Sequence, residues 1–294
     1  MTSSGFAYEL VAWLVRSGLN ADNEAEVLDG LCTRLVAGGV PIWRAATGSD
    51  LLHPLLDARG CRWLRGAGIV KEDYSRDAED EQDENWQASP FYHLILHRPE
   101  SELRRRLDAG CYRRGEFPLL DQLQDQGATD YVAFLVEYGA GFGQVPGLAC
   151  SFQTDRPGGF LNPELDLLRA VTPALGLAFK AIMVVETTRT LACTYLGADA
   201  AARVLDGAIA RGRTETVRAV LWYSDLEGFT RIADTAPGAE LIAFLNDYAE
   251  IVVAQIHAHG GQVLKFVGDG VLAMFPMRDD AAPCARAPPS EEEE

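Results

Sequence analysis

The sequence predicts an α+β chain of two domains, and three observations predict it. Its 294 residues are enough for two cores of ordinary size. Through residues 1–189, short β-forming runs bounded by turn residues alternate with amphipathic helical stretches, the pattern of a mixed sheet flanked by helices. Beyond them, the run at 216–223 leads into Ser224-Asp225 and the run at 262–275 turns on Gly268-Asp269-Gly270. Asp225 and Asp269 are thereby expected to meet at one end of a second sheet, where two carboxylates can hold two divalent cations.

Residues 1–18 have no basic leader and no small-residue cleavage site, so they read as an amphipathic helix. Residues 24–37 place Val27, Leu28, Leu31, Cys32, Leu35 and Val36 on one helical stripe that Gly38-Gly39 stops. Residues 41–46, 61–70 and 91–97 read as strands. Eight acids against the single base Arg76 make 72–84 a solvated loop, without the D-x-D-x-D-G order of a calcium site, and Trp86 beyond it folds back onto the domain. Residues 102–107, with Arg104, Arg105 and Arg106, read as a helical, solvated basic face. A helix at 118–126 and strands at 129–138 and 145–154 follow, the last strand ending in the turn 155–159. Asn162 and Pro163 open a long apolar helix as N-cap and first helical residue, which Pro173 is expected to kink or split. Residues 194–212 then read either as a transducer and dimer seam or as an ordinary core helix.

A formal charge of −17 argues against a partner recognised by its phosphate backbone or by anionic lipid, so no nucleic acid and no membrane are expected. A nucleotide would arrive with its metal. The longest apolar run, 174–185, is short of a bilayer, and a soluble, cytoplasmic protein is expected. Six cysteines without CxxC or CxxH spacing read as free buried thiols. His53, His93 and His97 read as hydrogen-bonded residues, with haem or metal ligation the alternative.

The second sheet carries the chemistry. Ser224 and Glu227 fit a capping box, while the same place lets Asp225 coordinate metal and the free amides of Gly228, Phe229 and Thr230 cradle phosphate oxygens. Residues 239–258 form a core helix with Leu241, Phe244, Leu245, Tyr248, Ile251, Val252 and Ile256 on its stripe, ended by Gly260-Gly261. In an extended strand, positions 265, 267 and 269 share a face, so Lys265 and Asp269 point the same way, about 13 Å apart at ~3.3 Å per residue.

These residues carry a resemblance. D-L-E-G-F-T, an amphipathic helix, H-G-G and K-F-V-G-D, spanning 216–276, resemble the N-terminal half of a class III adenylyl/guanylyl cyclase catalytic domain, a ferredoxin-like palm. The pieces HPLL, ATDYVAFLVEYG and SFQTDRPGGF within 5–189 resemble, more diffusely, the GAF-like regulatory domain upstream of some bacterial cyclases, though no residue names its ligand. The resemblance implies a GAF-like domain at 1–189, a transducer at 190–215, a truncated cyclase domain at 216–287 and an acidic tail at 288–294. It implies Asp225, Asp269 and the Leu226 carbonyl as ligands of two Mg²⁺ or Mn²⁺ ions, and Lys265 as the adenine contact, favouring ATP over GTP. The implied reaction is attack of the ribose 3′-hydroxyl on the α-phosphorus, giving cyclic AMP and pyrophosphate. Family members form their site at a head-to-tail dimer. Because 18 residues follow Pro276, the expected assembly is a homodimer or a heterodimer with a complete cyclase subunit. The alternative is a non-catalytic regulatory protein whose cyclase-like part binds Mg-nucleotide or a partner. A diguanylate-cyclase-like chemistry would need the G-G-D-E-F signature, which the sequence lacks.

Overall fold

The computed structural model describes residues 3–20, 23–50, 56–75, 86–97, 100–108, 110, 112–139, 147–207 and 218–277. The fold is α+β, and the chain divides into two compact units, Met1–Thr188 and Arg189–Glu294.

In the first unit, α1 (Ser3–Asn20) and α2 (Glu24–Ala37) precede the strands β1 (Arg44–Asp50), β2 (Leu56–Leu64) and β3 (Gly68–Ser75). Then come α3 (Pro90–Leu96), β4 (Glu102–Arg106), α4 (Pro118–Asp125), β5 (Asp130–Glu137), β6 (Gly147–Thr154) and α5 (Asn162–Leu196). The six strands form one antiparallel sheet in the order β3-β2-β1-β6-β5-β4. Helices α1, α2 and α5 cover one face and meet Val132 and Phe134. Helices α3 and α4 cover the other and meet Tyr131, Ala133 and Leu135. Strand β5 is thus buried on both faces, which is why its sequence is a continuous apolar run instead of an alternation.

Local sequence misleads at several places, and in each a specific contact overrides it. Residues 91–97 carry β-forming side chains yet form α3, because Ser89 caps it, its Oγ accepting from the Tyr92 N–H at 3.1 Å, and Pro90 pre-sets its first turn. Residues 61–70 are two strands: Gly66 and Gly68, at φ 84° and 80°, turn the chain between them. Residues 102–107 form edge strand β4 instead of a helix. There Arg104 and Arg105 pair with Asp130 and Glu116 beyond the strand, and Arg106 with Asp108 two residues on, so ladder pairing and ion pairs decide where propensity favours helix. The acidic run begins inside β3, where Glu72 meets Arg62 at 2.7 Å, and its part at 76–85 lies outside the described residues.

Trp86 packs edge-on against Tyr92 at 6.0 Å. Helix α5 runs uninterrupted through Pro173, its apolar stripe of Leu168, Val171, Leu175 and Ala178 buried on both sides of the proline. At its start the Leu161 N–H donates to the Glu164 carboxylate at 2.7 Å, so Glu164 and not Asn162 supplies the closing side chain. By length and composition its span Asn162–Thr194 could cross a membrane, which the 174–185 reading underestimates; half of its apolar 18-residue window is buried, as in a core helix.

One carboxylate ties both ends of this sheet region together. Asp130, 0% exposed, accepts from Arg104 Nη2 at 2.7 Å and from the Phe160 N–H at 3.0 Å, clamping the edge strand to the loop that leads into α5.

In the second unit, α6 (Ala198–Leu205) is followed by β7 (Ala219–Ser224), α7 (Phe229–Thr235), α8 (Gly238–Ala258), β8 (Gln262–Val267) and β9 (Gly270–Pro276). The strands form an antiparallel sheet in the order β7-β9-β8. Ile256, Val271, Ala273 and Phe275 make its core, with Val220, Trp222, Tyr248, Val252 and Val263 against them. The rest of the expected core stripe is not all inside: Phe244 and Ile251 are exposed. A helix of 21 residues is about 31 Å long.

Asp130→Ala is expected to cost about 3 kcal/mol, because it strands a guanidinium and a buried amide. Gly159→Ala should act in the same direction, since Gly159 sits at φ 71° with its Cβ position against the Asp130 carboxylate. Urea unfolding followed by tryptophan fluorescence checks both; unchanged midpoints would show that the clamp contributes nothing.

Candidate functional site

Strand β9 lies between β7 and β8, and this order brings the two aspartates together. Ser224, the last residue of β7, pairs with Val271 near the start of β9. The β8–β9 connection is a two-residue turn, Gly268-Asp269, closed by the pair Val267 and Gly270. Gly268 holds φ 66°, a conformation that side chains rarely adopt. Asp269 therefore arrives beside the residue that follows β7.

The contact is direct. The Leu226 N–H donates to Asp269 Oδ2 at 3.1 Å, and the Asp225 carboxyl lies close enough to Asp269 for the two to act on each other's charge. Burial first, then the hydrogen bond and charge of Asp269, hold the Asp225 carboxyl above the usual carboxylate range, against a lowering contribution from the Leu226 N–H. Ser224 Oγ meets Tyr248 Oη at 3.1 Å, fixing the strand end to α8.

The donor set suits a hard divalent cation. Two carboxylates that crowd each other need a proton or a cation between them, and Mg²⁺ is bound through one or two carboxylates with waters and substrate phosphates completing its shell. The Leu226 carbonyl accepts from the Phe229 N–H at 3.3 Å, which leaves it a second lone pair. Among the described residues no cluster of three or more His, Cys, Asp or Glu offers a closed metal cage.

The remaining expected residues are placed differently from one another. Gly228, in the left-handed region at φ 74°, precedes α7, a helix of seven residues. The Phe229 amide is already bonded to Leu226, so it is not free as expected, while Thr230 is exposed in the first turn. No capping box forms: Ser224 ends β7 and Glu227 stands before Gly228, outside the helix. Lys265 is exposed and in register with Leu272 and Tyr223, on the sheet face turned away from α8. A bulge between Val263 and Lys265 interrupts β8, and Asp269 lies in the turn beyond it. The strand parity that set Lys265 and Asp269 on one face therefore does not extend to Asp269.

Tyr223 was not singled out, although it stands two residues before Asp225. Its hydroxyl end occupies the space a Cβ on Gly270 would need, and that same point lies 3.1 Å from Asp225 Oδ1. Gly270 is small because the tyrosine and the aspartate crowd it.

Other candidate ligands do not converge. His93 and His97 lie at the end of α3, not in a strand, with rings stacked at 3.9 Å, and burial together with His97 and Arg105 pushes His93 down. His53, Cys111 and Cys284 lie outside the described residues. Cys32, Cys61 and Cys150 are buried, and burial pushes the Cys61 and Cys150 thiols up to about 11 and 12; Cys193 is exposed.

No family model matches the chain. Over 61 residues, 21% of this chain and 11% of the relative, it is 36% identical to an uncharacterised protein of Mycobacterium tuberculosis. Over 64 residues it is 31% identical to the adenylate cyclase of Anabaena cylindrica, covering 22% of this chain and 13% of that protein. A terminal-differentiation specific adenylate cyclase of Dictyostelium discoideum is 34% identical over 59 residues, 20% of this chain and 3% of its own. The chain thus matches only a small part of each of these relatives. Among solved structures, the phycoerythrobilin-bound GAF domain of a cyanobacterial phytochrome aligns at TM-score 0.41 and 11% identity, over 63% of this chain and 97% of that one. A bacterial light-regulated adenylyl cyclase aligns at TM-score 0.27 and 18% identity, over 79% and 60%.

The crowded carboxylates give a thermal signature. A proton shared by the raised Asp225 is lost as pH rises above the ordinary carboxylate range, so its stabilising share fades between acid and neutral pH. At neutral pH, Mn²⁺ or Mg²⁺ should raise the second unit's unfolding temperature, and Asp225→Asn or Asp269→Asn should abolish that rise without lowering the metal-free value. Scanning calorimetry checks it; an equal rise in the variants would place the cation elsewhere.

Proposed function

We propose that the chain is a sensor-linked class III adenylyl cyclase, converting ATP to cyclic AMP and pyrophosphate. The observation that carries this reading is the contact between Asp225 and Asp269 around the Leu226 amide. The short sequence likeness to adenylate cyclases supports it.

In this reading Asp225, Asp269 and the Leu226 carbonyl hold two Mg²⁺ or Mn²⁺ ions. Bound there, the ions supply a lowered pKa for the ribose 3′-hydroxyl and neutralise triphosphate charge. Lys265 donates to the adenine, which favours ATP over GTP. The backbone at Gly228, Phe229 and Thr230 lies on the phosphate side. Residues 1–189 act as the GAF-like sensor, 190–215 as transducer and 216–287 as the cyclase part.

The site is open. Asp225, Lys265 and Thr230 are exposed, and beside them Leu221 and Tyr223 keep 66% and 53% of their surface in water. Preorganised charge stabilisation acts strongly only where water is excluded, and one missing donor costs on the order of 10²–10³ in rate. A second polypeptide must therefore cover this face, either another copy or a complete cyclase subunit. The same exposure favours a second reading, in which the unit binds Mg-nucleotide or a partner without turning it over.

The test is ATP conversion with Mg²⁺ or Mn²⁺, by the purified chain alone and mixed with a full-length class III homologue. Product is expected in the mixture, reduced at least 100-fold when this chain carries Asp225→Ala. Nucleotide binding without product in either sample would establish the regulatory reading instead.

A further inference from the structure

The first unit contains a cavity of about 310 Å³, roofed by α3 and α4 over the sheet. That is at the small end of the ~300–1,000 Å³ typical of ligand sites. It exists because the sheet is locally stripped of side chains: Ala46 and Gly48 of β1 and Ala149 of β6 form its floor, while Phe91, Ile95 and Leu119 face them from the helices.

Arg44 supplies the polar end. Its Nη1 is buried and has no hydrogen-bond partner. Its register partner Gln153, whose amide donates to Ser151 Oγ at 2.9 Å, leaves its carbonyl oxygen unpartnered; beyond it in the same row the Tyr131 hydroxyl is unpartnered too. This is unusual in a chain with 43 acids against 26 bases, where the neighbouring Arg62 is already matched by Glu72 at 2.7 Å. Glu72 and Tyr131 partly offset the burial and the Arg62 charge that push the Arg44 guanidinium down, but neither bonds to it. A half-buried guanidinium without a carboxylate costs free energy that an anion would recover.

We propose that this cavity binds a small monoanionic ligand with a flat apolar body, an aromatic carboxylate, whose carboxylate is held by Arg44. The planar fork of arginine matches a carboxylate in two parallel hydrogen bonds. The unpartnered Arg44 Nη1 suits a single anionic group, and the slot between the small-residue floor and Phe91 admits a ring. The binding stands independently of whether the second unit makes product.

Calorimetric titration of the full chain with benzoate and indole-3-acetate, against benzamide and indole-3-acetamide, tests it. At least one acid should bind saturably and its amide should not. Arg44→Leu should weaken the acid about 10- to 100-fold, the worth of a charge-assisted pair. Gly48→Val provides a variant that leaves Arg44 intact. Its Cβ position meets only Phe91, at 3.9 Å, so the added methyls enter the cavity and should abolish binding with the unliganded melting temperature unchanged. Equal binding of acid and amide, unaltered binding by both variants, or no saturable heat at millimolar acid would each overturn the proposal, the last showing that Arg44 is satisfied by water alone.

Discussion

Two like charges brought into contact at a strand end set the terms for the second unit. Asp225 and Asp269 are 44 positions apart in the chain and meet because β9 intervenes between β7 and β8. The Leu226 amide lies between them and offsets only part of the repulsion. Mutual repulsion of such a pair favours the protonated form of one member, which is the direction in which the Asp225 carboxyl is held. Gly268, Gly270 and the Ser224–Tyr248 contact all serve this placement, since each fixes a strand end or clears space beside a carboxylate.

The two units solve burial differently. In the first, helices on both faces of a six-stranded sheet leave β5 and β6 without a solvent side. Asp130 inside it is held by Arg104 and the Phe160 amide, whereas Arg44 Nη1 and the Gln153 carbonyl oxygen have no partner. In the second, among the described residues, three strands carry a helical layer on one face, and Leu221, Tyr223, Leu264 and Phe266 remain in water on or beside the other. An apolar sheet face of that kind is stable in isolation only at a cost in solubility.

Much of this is legible in the sequence alone. The amphipathic helices at 24–37 and 239–258, the strands Asp130–Glu137 and Gly147–Thr154, and the meeting of Asp225 with Asp269 follow from periodicity and turn chemistry, which are local. What failed was decided by partners far away in sequence. Arg104 reads as a helical surface residue until Asp130 appears beside it. Phe91 and Tyr92 read as strand until the Ser89 cap is weighed above their β-propensity. The Lys265–Asp269 parity fails because a bulge and a turn break the alternation. The stripe on α8 reads as core throughout because its pattern cannot say how wide the sheet beneath it is.

That last point connects packing to chemistry. Lys265, Tyr223 and Leu272 share one register row on the uncovered face, and both carboxylates lie past its end. Whatever covers the apolar row also removes water from around Lys265 and from Asp225, whose Oδ1 lies beside the Tyr223 hydroxyl end at Gly270. In water a unit-charge contact is worth only about 1 kcal/mol at 4 Å, and the same contact strengthens several-fold once desolvated. Burial of Leu221 and Tyr223 and desolvation of Asp225 are therefore one event, and the exposed apolar face and the proposed site are coupled through it.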